Sequence, residues 1–522
     1  MTNKMEVDEQ PIYEAFKLLA LEEEGTKIEF SDFVGRIIDD ISNFKETEIS
    51  LTKEVKRVVR PYQEAGIKWL AVLHKYHLGG ILADDMGLGK TLEVISFLEG
   101  LKEEKPSLII APKSVIYNWL SEFKHWAPAL EAFVIDGTKD ERVKAIGKIK
   151  NNKKSFFITS YDSMRNDEVL YKNKQFEVLI TDEAQYIKNG AALKSQAVRT
   201  LNSSCRFALT GTPIENSMAD LWAIFDFLMP GYLDSFNIFK TRYILAGDQI
   251  KARGSLSRKI TPFLLRRTKA EVLKDLPKKT TEIITLTMND EARRYYDAVL
   301  VDTRNKIRQK REDPTKGDKY SEKGLFSVLP LLTRLREICV DPSAFLDGFS
   351  EESAKMAYAL SYITIAVEAG HKVLVFSSFT KVLDHLTILL RESGVKSYYI
   401  YGATEADDRL SMAESFNTKN DVNVMLVSLK AGGTGLNLHG ADIVLHLDPW
   451  WNVAAEEQAT DRAYRIGQKR PVSVVKLICH NSIEEKVIQL QENKRELYNQ
   501  VIKSGDEAIS KLNIEDIKFL LS

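Results

Sequence analysis

One stretch constrains the fold of this chain more than any other: residues 79–91, which read GGILADDMGLGKT. A short apolar run from Ile81 to Ala83 is followed by two carboxylates, two glycines, a lysine and a threonine. The residues that follow, TLEVISFLEGL, have the apolar spacing of a helix. A strand, a tight loop and a helix start in this order are typical of an α/β fold whose loop binds a polyphosphate.

The side chains and backbone of this loop suit phosphate and metal. Gly87 and Gly89 let backbone N–H groups approach phosphate oxygens, and Lys90 can reach the outer phosphates as a positive charge. Thr91 can offer a hydroxyl to Mg²⁺. Asp84 stands where the general pattern has a glycine. A glycine-rich turn with an exposed lysine is the alternative, and the flanking strand and helix argue against it.

Length and charge limit the number of domains and the kind of nucleic-acid surface that the chain can have. A chain of 522 residues is too long for one core and predicts two to four domains. The first fifty residues carry thirteen acidic and five basic side chains, a charge of −8, against −1 for the whole chain. Any nucleic-acid surface must therefore be a local patch on the remainder, which carries +7.

The cysteines and the hydropathy pattern exclude several classes of protein. Cys205, Cys339 and Cys479 lie far apart, with no C-x-x-C pair, so we expect no zinc, no disulfide framework and a reducing compartment. An acidic N-terminus and the lack of about 18 consecutive apolar residues predict no signal peptide and no membrane partner. The expected location is the cytoplasm, at the nucleoid, in a prokaryote, or the nucleus in a eukaryote.

Strand patterns alternate with helical patterns in two blocks, which favours parallel sheets covered on both faces. Helical, strongly charged sequence between residues 214 and 371 separates the blocks. The strand patterns are 107–112, 156–160, 177–184 and 206–213 in the first block, and 372–379, 397–402, 422–429, 443–449 and 472–478 in the second.

The strand pattern at 178–180 ends on an acidic pair, Asp182 and Glu183. In a nucleotide enzyme one such carboxylate can organise Mg²⁺ while its neighbour orients or deprotonates a water. An acidic pair alone is as often surface decoration. Its combination with Lys90 and Thr91 favours catalysis.

These motifs resemble those of superfamily-two helicase-like ATPases, and more specifically of Swi/Snf-type ATPases. The phosphate loop, DEAQ (182–185) and LTGTPIEN (209–216) have the same order and spacing. Gln185 and Tyr464 stand where eukaryotic remodellers usually have histidine, which resembles prokaryotic members. The further motifs, between about Arg60 and Ile502, are RPYQEAGIKWL (60–70), APKSVIYNW (111–119), PFLLRRTKAEVLKDLPKKT (262–280), LTRLREICVDP (332–342), SLKAGGTGLNL (428–438), DPWWN (448–452) and QATDRAYRIGQKRPV (458–472).

The resemblance implies an α/β fold class with two RecA-like parallel-sheet lobes and helical family-specific insertions between them. The C-terminal helical pattern over 483–501 is expected to pack on another part of the protein, with an intermolecular coiled coil as the alternative. The expected domains are an acidic helical N-terminal segment (1–54), a first lobe with a helical protrusion (55–275), a helical insertion or linker (276–345), a second lobe (346–482) and a C-terminal bracing helix and tail (483–522).

The resemblance also implies a role for individual residues at a site that binds ATP and Mg²⁺. Gln63 would read the adenine edge, Asp182 would join Thr91 at the metal, and Glu183 would position the attacking water. Gln185 and Thr210 would couple nucleotide state to movement. The remaining residues expected to hold the nucleotide are Asp85, Gly87, Gly89, Lys90 and Gly435.

Arg462 and Arg465 resemble the arginine fingers of the family, which reach the γ-phosphate from the second lobe. They are three residues apart in QATDRAYR, which we expect to be helical, so both can face one direction. The alternative is a surface salt-bridge network.

The DNA track is expected to lie along loops at the strand ends, where hydroxyl, ammonium and N–H groups suit phosphates. For Trp451 a place beside the DNA backbone and burial as a core anchor are equally open. The other expected DNA contacts are Lys113, Ser114, Ser160, Tyr161, Ser377, Ser378, Lys430, Gly432, Gly433 and Thr434.

The sequence thus predicts a DNA-dependent ATPase, a monomeric motor that moves on double-stranded DNA and displaces or remodels a bound protein of unknown identity without strand separation. The alternatives are an RNA or single-strand helicase, a nucleotide-gated binding module, and the motor subunit of a restriction or defence complex. The direction of movement is left open.

Overall fold

The computed structural model describes residues 13, 16, 32–43, 49, 51–188, 192–211, 218–312, 329–349, 351–429 and 436–492. The chain divides between Lys274 and Asp275 into two compact units, here called lobe 1 and lobe 2. Each lobe contains one parallel sheet with helices around it, which confirms the predicted α/β class with two parallel-sheet lobes.

Lobe 1 has a seven-stranded sheet with the order β3-β4-β2-β5-β6-β1-β7. Its central strands are buried along their length, which is why their sequences read as continuous apolar runs. The strands are β1 (Gly80–Leu82), β2 (Ser107–Ala111), β3 (Ala132–Ile135), β4 (Phe156–Ser160), β5 (Gln175–Asp182), β6 (Asn202–Leu209) and β7 (Leu264–Leu265).

The helices of lobe 1 start at recognisable signals. Pro61 occupies the first turn of one helix, and Thr138 with Glu141 forms a capping box at another. The helices are Asp32–Asn43, Lys53–Val58, Pro61–Lys75, Lys90–Gly100, Ile116–Trp126, Lys139–Gly147, Tyr161–Asn166, Leu193–Arg199, Met218–Leu228, Phe236–Phe239, Gln249–Ile260 and Lys269–Val272.

The described part of the N-terminal segment packs on lobe 1. The Tyr13 hydroxyl donates a hydrogen bond to the Pro230 carbonyl at 3.1 Å. Ile37 and Ile41 are buried in the same core as the sheet. Acidic residues of this segment also contact the lobe, since Asp40 accepts a hydrogen bond from Lys75 at 3.0 Å.

Lobe 2 has a six-stranded parallel sheet with the order β10-β11-β9-β12-β13-β8. Its helices are Asp290–Glu312, Leu329–Val340, Ala354–Glu368, Thr380–Glu392, Ala406–Thr418, Val453–Thr460 and residues 483–492. The strands are β8 (Lys279–Leu286), β9 (Val373–Ser377), β10 (Ser397–Ile400), β11 (Val424–Ser428), β12 (Ile443–His446) and β13 (Val472–Cys479).

Strand β8 corrects one expectation, that residues 276–345 are helical. It runs parallel to β13 from the pair Lys279–Val472 to the pair Leu286–Cys479. Most of its side chains are exposed, because it is an edge strand and not a buried one. The polar residues of an exposed edge hide the apolar run by which buried strands are recognised.

The helix at 483–492 places Ile483 and Val487 in a buried cluster with Leu335 and Cys339. The rest of the predicted helix 483–501 lies outside the described residues. Among the helices that the structure describes, none is long and apolar enough to cross a bilayer.

Candidate nucleotide and DNA site

Three neighbouring strands of lobe 1 bring the phosphate loop and the acidic pair to one edge of the sheet. β6 lies between β5 and β1, and its Leu209 pairs with both Leu82 and Asp182. With strands about 4.8 Å apart, the backbones at Leu82 and Asp182 are separated by about 10 Å. The carboxyl ends of parallel strands share an edge, so the two motifs face one site.

The phosphate loop needs its glycines. Gly87 and Gly89 have φ values of +83° and +89°, which side-chain-bearing residues rarely adopt. A Cβ at Gly89 would also lie 2.4 Å from Gln63 Nε2. Helix Lys90–Gly100 begins directly after Gly89, so its first N–H groups and Thr91 lie where phosphate and metal are expected.

Asp84, the departure from the glycine pattern, holds a buried arginine. Arg267 Nε donates hydrogen bonds to both Asp84 carboxylate oxygens, at 2.9 and 3.0 Å. The guanidinium also donates to both Glu93 oxygens, at 2.8 and 2.7 Å. Both carboxylates are fully buried. These three residues form the lobe 1 arginine cluster, in which one positive charge faces two acidic groups.

The protonation of Glu93 differs from that of an exposed glutamate. Burial raises the pKa of Glu93 to about 8, although the neighbouring Arg267 charge opposes the increase. Gly66 packs against this cluster: a Cβ there would lie 1.9 Å from Glu93 Oε2 and 2.9 Å from an Arg267 nitrogen.

Helix Pro61–Lys75 is tied to the phosphate loop by side chains. The Tyr62 hydroxyl and Gln63 Nε2 both donate to the Leu88 carbonyl, at 2.8 and 2.9 Å. Gln63 Oε1 accepts from the Arg60 N–H at 2.9 Å. Gln63 thus lies beside the loop, and its contact with adenine stays a prediction.

Asp182 and Glu183 occupy an ordered turn at the end of β5. Asp182 accepts hydrogen bonds from Trp119 Nε1 at 2.8 Å and from the Glu183 N–H at 2.9 Å. Glu183 has a φ of +51°, a costly conformation for a glutamate that is concentrated at functional sites. The oriented Asp182 carboxylate and the Thr91 hydroxyl are oxygen donors of the kind that Mg²⁺ prefers, so the residues present fit this ion.

A chain of side-chain hydrogen bonds leads from Glu183 to β6. Gln185 Nε2 donates to Glu183 Oε2 at 2.7 Å, and Thr210 donates to Gln185 Oε1 at 3.3 Å. The Thr210 N–H donates to the Leu82 carbonyl at 3.2 Å. The predicted coupling residues Gln185 and Thr210 are therefore in contact with each other and with the predicted catalytic glutamate.

The predicted DNA contacts of lobe 1 separate into two groups. Lys113 is exposed at the end of β2, beside the partly exposed Ser114. Ser160 and Tyr161, however, are buried. Ser160 Oγ caps the following helix by accepting from the Ser163 N–H at 3.1 Å, and Tyr161 donates to the Asp182 carbonyl at 2.7 Å. Both side chains therefore bond within the lobe, and a contact of these two residues with DNA stays a prediction.

Ser377 and Ser378, at the end of β9 in lobe 2, both bind Asp448. Ser377 Oγ donates to Asp448 Oδ1 at 2.6 Å, and the Ser378 N–H donates to the same oxygen at 3.0 Å. Ser377 is fully buried, and its DNA contact stays a prediction. Ser378 keeps partial exposure.

Asp448 is paired with a buried arginine. The Arg336 guanidinium donates to Asp448 Oδ2 at 2.7 Å. The rings of Phe379, Trp450 and Trp451 lie 5.1, 4.8 and 4.6 Å from its Cζ atom. These five residues form the lobe 2 arginine cluster. Trp451 is half-buried and packs on Arg336, and its contact with DNA stays a prediction.

Arg462 and Arg465 are not on a helix, which corrects another expectation. Helix Val453–Thr460 ends before them, and residues 461–467 are turns. The Arg462 carbonyl accepts a hydrogen bond from the Leu438 N–H at 3.0 Å, which diverts it from a helical partner. Arg462 is only 6% exposed. The predicted residues Lys430, Gly432, Gly433, Thr434 and Gly435 lie outside the described residues.

Sequence reasoning missed Glu93, Arg267 and Arg336, which support the strand-end loops. The signal for Glu93 is a charged residue within an otherwise apolar stretch of helix, TLEVISFL, whereas Arg336 has the charged neighbours Arg334 and Glu337 in LTRLREICV and carries no such signal. A buried charge needs a partner, so such positions predict a buried ion pair.

The comparisons with known proteins agree with these motifs. The model of the SNF2-related domain matches residues 62–344, and that of the helicase conserved C-terminal domain matches residues 354–467.

Relatives match over nearly the whole chain. An uncharacterized ATP-dependent helicase of Mycoplasma pneumoniae is 37% identical over 93% of this chain and 45% of its own length. A putative ATP-dependent helicase/translocase of Bacillus subtilis is 35% identical over 91% of this chain and 52% of its own. The solved Sulfolobus solfataricus SWI2/SNF2 ATPase core in complex with dsDNA is 33% identical, over 91% of this chain and 99% of that one, with a TM-score of 0.43.

The chain spans about half the length of the curated relatives it matches. The first family model covers more than half of the chain, and its span contains the phosphate loop and the acidic pair described above. The chain therefore belongs to the SNF2-related family of ATP-dependent, helicase-like proteins.

Proposed function

We propose that this chain is a motor that uses Mg²⁺ and ATP to translocate on double-stranded DNA, and that it displaces or remodels DNA-bound proteins without separating the strands. The observation that carries the proposal is the single sheet edge at which the phosphate loop meets Asp182 and Glu183. Family membership and the Bacillus subtilis relative, named a helicase/translocase, support it.

Each residue at this edge has a task in hydrolysis. The helix start at Lys90 binds the outer phosphates through its N–H groups and the ammonium group. Glu183 orients the attacking water, and its hydrogen bond from Gln185 fixes the direction of its carboxylate. Mg²⁺, when held by Thr91 and Asp182, neutralises charge on the phosphate oxygens.

The DNA side of the proposal rests on phosphate contacts from exposed strand-end residues. Lys113, Ser114 and Ser378 remain accessible for this role. Phosphate contacts carry no sequence information, so binding should be independent of sequence and should weaken steeply with salt. Arg462 and Arg465 as arginine fingers, the displaced protein and a monomeric motor are further parts of the proposal.

The first experiment measures ATP hydrolysis by the purified chain without nucleic acid and with duplex DNA, single-stranded DNA or RNA. We expect strong stimulation by the duplex alone. A triplex-displacement assay then tests movement, and a blunt-duplex assay tests strand separation. Stimulation by RNA alone or efficient separation of the blunt duplex would favour a helicase. ATP binding without turnover in any condition would favour a nucleotide-gated module.

The catalytic assignment is tested with Glu183→Gln, which keeps the shape of the side chain and removes its charge. Loss of a positioned base lowers turnover about 100-fold or more, while DNA binding should persist. Lys90→Ala should also abolish turnover, through loss of phosphate binding. Glu131→Gln, the same change at an exposed carboxylate of lobe 1, should hydrolyse normally. Normal turnover in Glu183→Gln would remove this assignment.

A further inference from the structure

A second cluster of ligating side chains lies at the opposite end of the lobe 1 sheet. It contains His74 from the last turn of helix Pro61–Lys75, Glu177 from the start of β5, and Glu103 from the loop after helix Lys90–Gly100. One ligand atom of each lies within 4.8 Å of the other two. Glu177 precedes Asp182 by five residues, a distance of about 16 Å along a strand. The cluster is therefore separate from the nucleotide site.

We propose that His74, Glu103 and Glu177 bind one first-row divalent transition-metal ion, with Zn²⁺ as its representative. An imidazole nitrogen with carboxylate oxygens is an established ligand type for such ions. Two ligands on one tetrahedral Zn²⁺ lie about 3.3 Å apart. His74 Nε2 and Glu177 Oε1 are already 2.8 Å apart, so a small opening admits the ion in place of the bridging proton.

The surroundings orient the two buried ligands as a metal site requires. The His74 and Glu177 side chains are only 8% and 4% exposed. The Phe97 ring meets the imidazole edge to face at 5.7 Å, and the Ser204 hydroxyl donates to Glu177 Oε2 at 3.3 Å. Such contacts from outside the ligand set fix ring and carboxylate directions. The third ligand, Glu103, is exposed, which leaves a path for the ion.

A second group of three ligating side chains lies in lobe 2 and is less suited to a metal ion. Cys339, Cys479 and Glu484 of lobe 2 also lie within 4.8 Å of one another, but all three are buried. The buried Lys355 ammonium pairs with Glu484 at 2.7 Å and already supplies a positive charge there. Near Glu177 the cation is Lys105, 3.4 Å away and 46% exposed, which can move into solvent when a metal enters. The expectation of no zinc came from cysteine spacing, and this ligand set contains no cysteine.

The test is a titration of the full chain with Zn²⁺ against a chromogenic chelator, in excess Mg²⁺ so that the nucleotide site is occupied. We expect one saturable equivalent and a rise in Tm, since an ion that binds the native state stabilises it. Glu103→Gln, at an exposed position, should weaken the affinity about tenfold or more. Glu104→Gln, the same change one residue away, should bind as the wild type does.

The titration would overturn the proposal if the wild type bound no saturable equivalent, or if Glu103→Gln and the wild type had equal affinities. Co²⁺ provides an independent readout through its absorption spectrum. Nitrogen and oxygen ligation gives weak visible bands. A strong thiolate charge-transfer band would instead place the ion at the cysteine pair. None of these readouts depends on ATP hydrolysis.

Discussion

The two lobes hold their strand-end loops with the same device in different surroundings. In lobe 1 Arg267 binds Asp84, directly after β1, and in lobe 2 Arg336 binds Asp448, shortly after β12. The lobe 1 arginine has a second carboxylate, Glu93, as its other neighbour. The lobe 2 arginine has one carboxylate and three aromatic rings, whereas the lobe 1 arginine has two carboxylates and one ring, that of Tyr62 at 5.1 Å.

The difference shows two ways of stabilising the charge of a buried guanidinium. In lobe 1, burial and, to a lesser degree, the Asp84 charge raise the pKa of Glu93 to about 8, so that near neutral pH one carboxylate charge faces one arginine. Aromatic faces attract the cation without adding a titratable group. The lobe 1 cluster should therefore respond to pH in the physiological range, and the lobe 2 cluster should not.

The largest effects are expected from removing either buried arginine. Arg336→Met leaves Asp448 uncompensated, at a cost of about 3–5 kcal/mol in the free energy of unfolding. Arg267→Met should cost a similar amount at pH 6, because a protonated Glu93 leaves Asp84 as the one buried carboxylate without its cation. Urea unfolding at pH 6 and pH 9 measures both. The Arg267→Met cost should grow at pH 9, and equal, pH-independent costs would refute the comparison.

A smaller effect on the free energy of unfolding is expected from Glu93→Gln. This substitution removes the titrating carboxyl group and leaves Arg267 in place. The native pKa of about 8 lies above the ordinary 4.5, so the native state binds this proton more tightly than the unfolded state does. The contribution is complete below pH 4.5 and is lost at about 1.4 kcal/mol per pH unit as pH rises from 4.5 to about 8.

Unfolding free energies measured from pH 5 to pH 9 test whether stability falls with pH as predicted. The Glu93→Gln curve should be flatter than that of the wild type, and Glu64→Gln, an exposed carboxylate on a neighbouring helix, should leave the slope unchanged. A wild-type stability that increases with pH over this range would contradict the assignment.

The smallest effect is expected from Trp451→Phe, which keeps a ring over Arg336. Its cost in unfolding free energy should be about 1 kcal/mol or less. Fluorescence anisotropy with a labelled duplex provides the second readout. Because Trp451 packs on Arg336, the DNA affinity should not change. A clear loss of DNA affinity at unchanged stability would instead support a contact between Trp451 and the DNA backbone.

The sequence predicted those features of the fold that local patterns express. Buried parallel strands are continuous apolar runs, so β2, β4, β5 and the central strands of lobe 2 were located within a few residues. Three edge strands were not: β3 is short and mostly half-buried, β7 has only two residues, and β8 is exposed and polar. The acidic pair and the phosphate loop were recognised because each is contiguous and follows a strand.

The partners of the buried arginines cannot be predicted from neighbouring residues in the sequence. Arg267 and Asp84 are 183 residues apart, and Arg336 and Asp448 are 112 apart. Hydroxyl groups at strand ends were ambiguous for a different reason. The same group that can bind a phosphate can also cap a helix, as in Ser160, or bind a buried carboxylate, as in Ser377.

The lobe 1 arginine cluster restricts which residue can occupy position 66. Glycine inside a helix costs about 1 kcal/mol relative to alanine, so helix stability alone would favour alanine there. A methyl group at Gly66 would meet Glu93 Oε2 at 1.9 Å. A side chain at position 66 therefore requires the Glu93 carboxylate to leave its place beside Arg267. The helix keeps a residue of low helix propensity so that the buried acid can reach its arginine.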